Sequence, residues 1–79
     1  LFRSGGTDRL LRATRAMQLG DWRAAQSLLT AEAEEAPQGW LAFDLRALCC
    51  LEMGRHQQAL EDAMRCTQLN PDWWVAWVV

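Results

Sequence analysis

The side chains able to do chemistry are few. One histidine, His56, and three cysteines, Cys49, Cys50 and Cys66, are the nucleophiles and soft metal ligands on offer. Nucleophilic catalysis needs a base beside the nucleophile and a third group to orient that base. No Ser–His–Asp or Cys–His set can be assembled around His56. Zinc asks for ligand pairs at CxxC-like spacing, which adjacent Cys49 and Cys50 with a distant Cys66 do not give. An odd cysteine count is not a disulfide framework either, and free, buried thiols in a reducing cytoplasm are the expectation. The sequence therefore predicts no catalytic residue, no metal and no cofactor, and the chain reads as something other than an enzyme.

Charge says little more. Formal net charge is −2, and all eight basic residues are Arg. That balance makes no strong electrostatic case for nucleic acid. Arg9, Arg12 and Arg15 recur every third residue and form one stripe on a helix. The stripe reads as a solvated face, paired in part with Glu32, Glu34 and Glu35 if two neighbouring helices run antiparallel. An acidic partner or an RNA backbone is the other reading of the same stripe.

These residues must be held by elements, and 79 residues suffice for one small domain. Half the residues are apolar, which excludes a disordered tail. No apolar run reaches the length of a membrane span, so no membrane partner is expected. The start lacks the pattern of a signal peptide. A chain that begins at Leu1 and stops inside an apolar segment reads as a piece of a longer one.

Internal repetition gives the plan. A shift of 34 residues matches Leu11 with Leu45, Arg12 with Arg46, Ala13 with Ala47 and Gly20 with Gly54. The same shift matches Ala25 with Ala59, Pro37 with Pro71, Trp40 with Trp74 and Ala42 with Ala76. Apolar residues recur at helical period throughout. Thr7 is the expected N-cap of a helix from Asp8 to Leu19, ended by Gly20. Asp21 is placed to cap a second helix, from Trp22 to about Ala36, before Pro37 breaks the chain. Trp40–Met53 and His56–Leu69 repeat the plan around Gly54, with Asn70–Pro71 as the stop. An all-α chain follows.

The segment RALCCLEMGRHQQALEDAMRCTQLNP, Arg46 to Pro71, resembles a tetratricopeptide (TPR) unit. The resemblance rests on Ala47, Gly54, Ala59, Cys66, Leu69 and Pro71, and it extends over essentially the whole chain. It implies a right-handed solenoid of antiparallel helical hairpins. The units would be an arm at 1–6, hairpins at 7–37 and 38–71, and the opening helix of a third unit at 72–79. In the family a packing aromatic follows the turn glycine, where this chain has Trp22 and His56. Leu29 and Ala63 stand where a large aromatic normally fills the second helix.

The resemblance further implies a protein partner, a peptide or an amphipathic helix, docked in a concave groove lined by first helices. The matching positions are Thr7, Leu10, Leu11, Thr14, Met17 and Gln18, then Leu41, Asp44, Leu45, Leu48, Leu51 and Glu52, then Val75, Val78 and Val79. That lining is largely apolar. Either it accepts an apolar helix, or several of these leucines pack helix to helix and the groove is narrower. Trp73, Trp74, Trp77 and Val78 make an unusually apolar end, expected to mediate self-association into a homo-oligomer unless more chain covers it. A third possibility is a substrate-recruiting part of a larger enzyme.

One TPR subclass clamps the C-terminal carboxylate of heat-shock chaperones with Lys, Asn and Arg. Here Leu10, Thr14, Leu45, Val75 and Val79 occupy those positions, and only Thr14 carries a hydrogen-bond donor. An acidic chaperone-tail peptide should therefore bind weakly or not at all in titration calorimetry. Micromolar binding that requires the free carboxylate would overturn that expectation.

Overall fold

Two glycines set the sharp turns. Gly20 and Gly54 have φ of +79° and +76°, a region that side chains with a Cβ enter only at a cost of about 1–2 kcal/mol. Each closes a helix end with the same pair of bonds. Gly20 N–H donates to Met17 O and Asp21 N–H to Ala16 O, and Gly54 N–H donates to Leu51 O and Arg55 N–H to Cys50 O. Both bonds of each pair return to carbonyls of the last turn, where the helix itself supplies no further donors.

The computed structural model describes residues 5–72. Four helices fill that range: α1 (Gly5–Gln18), α2 (Trp22–Glu35), α3 (Trp40–Glu52) and α4 (His56–Leu69). The described residues contain no strand, and the all-α expectation holds. Asp21 caps α2 as expected, its Oδ1 accepting from Ala24 N–H at 3.3 Å. Helix α1 departs from expectation, because it starts at Gly5 and so takes Thr7 inside the helix instead of at its cap. N–H groups of a first turn have no intrahelical partner in any case, so two glycines there do not stop the helix.

Each helix packs on its neighbour in sequence, α1 on α2, α2 on α3 and α3 on α4, while α1 and α3 barely meet. The centre is built from small side chains. Ala13, Ala25, Leu29, Ala42 and Cys49 form the buried cluster, ringed by Leu10, Ala16, Met17, Trp22, Leu28, Leu45 and Met53. Alanine at a crossing lets two helices approach closely, which larger residues would prevent. Cys49, Cys50 and Cys66 are buried free thiols, as expected for core positions.

His56 does not pack as its position suggested. It is exposed, whereas Trp22, 34 residues earlier, lies against the core cluster. Helix α2 lies between α1 and α3, but α4 packs principally on α3. The start of α4 therefore has fewer neighbours to enclose a ring.

Two charged groups sit where α3 and α4 face each other. Arg46 Nε donates to Asp62 Oδ2 and Arg46 Nη2 to Asp62 Oδ1, each at 2.8 Å. Gln58 adds a bond to Asp62 Oδ1, and Arg46 Nη1 reaches Thr30 Oγ1 on α2. The Asp62 hydrogen bonds hold the Arg46 guanidinium charged against the opposing effect of burial. Side-chain exposure is 15% for Arg46 and 3% for Asp62, so removing either partner strands a charge largely out of water. Asp62→Ala should cost about 3 kcal/mol in urea unfolding, the lower end for a buried pair because Arg46 keeps some solvent. Replacing both residues together, as Arg46→Met with Asp62→Leu, should recover most of that loss. A double variant as weak as the single one would show that the pair's shape, not its charge, is what matters.

Candidate functional site

Helix α3 has two faces of different origin but similar polarity. Its inner face carries Ala42, Ala47, Cys49 and Cys50, all buried. Positions 41, 44, 45, 48, 51 and 52 fall on the opposite arc of a 3.6-residue helix. Such an outward arc is ordinarily polar. Here it holds four leucines, and Leu41, Leu48 and Leu51 are 37%, 46% and 51% exposed. Leu45 is the exception, half-buried at the edge of the core. Between the leucines stand two carboxylates, half-buried Asp44 and exposed Glu52.

Helix α1 contributes less than its sequence suggests. Leu10 and Met17, expected in the groove, pack on the core cluster instead. Thr14 is half-buried, and its hydroxyl donates to Leu10 O at 2.8 Å within the helix. The outward arc of α1 carries Asp8, Arg12, Arg15 and Gln18 with Leu11, all exposed. Of the expected lining, Leu41, Leu48, Leu51 and Glu52 lie open on one face of α3, with Asp44 beside them. Leu10, Met17 and Leu45 belong to the interior, where the spacing of their buried neighbours puts them. Val75 and the Trp73, Trp74, Trp77 and Val78 set lie outside the described residues.

The arginine stripe resolves into separate roles. Arg9 Nη1 donates to Glu32 at 2.7 Å and Arg9 Nη2 to Glu35 at 3.3 Å. Those contacts, Glu35 first, keep Arg9 charged. They are the cross-helix pairing that an antiparallel α1–α2 hairpin implied. Arg12 pairs one turn back with Asp8 at 3.1 Å on a wet surface, where such a pair adds little. A basic patch aimed at one ligand is not what this makes.

The thiols are shielded. Burial raises the Cys49 thiol to about 11, with Cys50 adding to the shift. Burial also raises Cys50 and Cys66, reinforced by Asp62 and Asp44 respectively, although Arg46 and Arg55 partly offset it at Cys50. A thiol must ionise to attack or to ligate zinc, and these are held protonated at neutral pH. Among the described residues no three His, Cys, Asp or Glu side chains gather as a metal site would need. No helix there is long and apolar enough to cross a membrane.

In comparisons with protein-family models, with curated proteins and with solved structures, nothing matches this chain.

The chain has no Tyr and no Lys, so between about pH 8.5 and 11 its thiols are the only side chains that titrate. A group whose folded pKa is raised keeps its full stabilising contribution below its unfolded pKa and loses it as pH climbs to the folded one. The urea midpoint should therefore fall as pH is raised from about 8.5 toward 11, and Cys49→Ala should flatten the decline. A flat profile in the unmodified chain would mean that these thiols are solvated in the folded state.

Proposed function

We propose that this chain is a protein–protein interaction module of the TPR type, a right-handed stack of antiparallel hairpins acting as scaffold or adaptor. Its partner is an amphipathic helix or an apolar peptide, and its binding surface is the outward face of α3. One observation carries the reading: Leu41, Leu48 and Leu51 remain exposed on a single face in a chain whose other first helix presents charge to water. At 37–51% exposure these leucines forgo part of the about 1.5–3 kcal/mol that full burial of such a side chain is worth, and a partner's apolar stripe can recover it. From Leu41 to Leu51 the face runs about 15 Å, near three turns, enough for anchors at i, i+3 or i+4, and i+7 of a docked helix. Exposed Glu52 borders it and favours a partner with a basic residue flanking its apolar stripe.

The reading makes this chain a binder and not an enzyme. Heat-shock carboxylate tails are a poor match, since Leu10 and Leu45 face the interior and the Thr14 hydroxyl is occupied. A cytoplasmic setting suits three free thiols.

The test is NMR titration with a synthetic leucine-striped helix that carries flanking arginines. Shifts should concentrate on Leu41, Leu48 and Leu51, and Leu48→Glu should weaken binding at least about tenfold, or 1.4 kcal/mol. Shifts confined to α1 or α2, or a Leu48→Glu variant that binds equally well, would rule out the α3 face.

A further inference from the structure

Helix α4 turns Ala59, Asp62 and Cys66 toward α3 and buries all three. Its opposite arc is centred on Leu60 and Met64, which are 56% and 53% exposed. Among the described helices α4 packs principally on α3, which leaves that arc uncovered. Beside the two apolar side chains stand Glu61 and Arg65, both exposed and one turn apart. They do not pair with each other, and no ion pair among the described residues includes either. What holds them is weak. Glu61 accepts from Gln57 Nε2 and Arg65 Nη1 donates to Gln68 Oε1, each at 3.4 Å, and the Arg65 guanidinium lies 5.9 Å from the Phe43 ring centre.

The order of these residues selects an occupant. From N- to C-terminus the arc reads Leu60, Glu61, Met64, Arg65, an apolar and acidic step followed by an apolar and basic one. A two-fold axis midway between Leu60 and Met64 lays the helix antiparallel on a copy of itself. Leu60 of each copy then meets Met64 of the other. Residues flanking one side of such a pair meet the same side of the copy, so Glu61 of each falls beside Arg65 of the other. Parallel pairing would instead set Glu61 on Glu61 and Arg65 on Arg65. A shallow depression of about 340 Å³, lined by Ala63, Met64, Thr67 and Gln68, gives the second Leu60 a seat. A net charge of only −2 leaves little repulsion between copies.

We propose that the outward arc of α4 is a contact between two copies of this chain, crossing antiparallel, with two Leu60–Met64 contacts flanked by two Glu61–Arg65 ion pairs. One 14-residue helix against its copy lies at the small end for a specific interface, so the dissociation constant is on the order of 100 µM. The contact uses no residue of the α3 leucine face, and it stands or falls separately from any partner docked there.

Sedimentation equilibrium of the whole chain should show the average mass rising toward that of a dimer between about 10 µM and 1 mM. Glu61→Arg and Arg65→Glu should each weaken self-association at least about tenfold, because each sets like charges together twice across the axis. Mixed in equal amounts, the two variants should bind one another as tightly as the unmodified chain binds itself, since every base then faces an acid. Intrachain effects of either substitution cannot produce that recovery. An unmodified chain that stays monomeric throughout the range would overturn the proposal. So would single variants that self-associate undiminished, or a mixture that associates no better than its components.

Discussion

The paired hydrogen bonds between Arg46 and Asp62 are the constraint around which the second half of the chain is arranged. Both residues occupy core-facing positions, Arg46 near Ala42 and Cys49 on α3, Asp62 between Ala59 and Cys66 on α4. A helix face of small residues can slide or rotate against its neighbour with little change in buried area. A planar guanidinium locked onto a carboxylate cannot, because both bonds need one register and one orientation. Through Thr30 the same guanidinium reaches α2, so one side chain references three helices. Phe43 lies beneath this arrangement, with Arg46 and Arg65 at 5.5 Å and 5.9 Å from its ring centre.

That fixed geometry determines what α3 shows to solvent. With Arg46, Cys49 and Cys50 turned inward, the remaining arc can only be the one bearing Leu41, Asp44, Leu48, Leu51 and Glu52. The hairpin of α1 and α2 places its charges elsewhere. Its cross-helix ion pair is Arg9 with Glu32 and Glu35, near the end of the hairpin, and the outward arc of α1 stays charged. Two hairpins with the same turn geometry thus present unlike surfaces, one solvated and one apolar.

Much of the fold was readable from residue types. Gly20 and Gly54 announced their turns because a left-handed residue closing a helix is nearly always glycine. Asp21 announced a cap, and the limits of α4 follow from Gly54 and Pro71. The start of α1 was obscured by Gly5 and Gly6, residues that normally signal a break but cost little in a first turn. The site was harder to read, because α3 is apolar on both arcs and periodicity alone cannot say which arc faces its neighbours. Only the packing separates Leu45, on the core, from Leu48, in solvent. The Arg46–Asp62 pair was missed although a signal existed. Asp62 interrupts the apolar series Ala59, Asp62, Cys66, and a carboxylate on such a face requires a cation on the facing helix. Antiparallel pairing of α3 with α4 would have pointed to Arg46. For α1 and α2 the sequence set Arg9, Arg12 and Arg15 against Glu32, Glu34 and Glu35, and of these Arg9 meets Glu32 and Glu35 while Arg12 turns to Asp8.

The sparse meeting of α1 with α3 has a kinetic side. Since every extensive contact among the described residues joins helices adjacent in sequence, closing each of these interfaces requires only a short loop to fold back. Chains wired this way search little conformational space before contacts begin to reward them, and they fold near the fast end of the range for small domains. Either hairpin can nucleate first and template the other across α2 and α3. Fraying is equally local. Among the described helices α1 meets little beyond α2, so it can open while the Arg46–Asp62 pair keeps α4 on α3 and holds the face bearing Leu41, Leu48 and Leu51 in place.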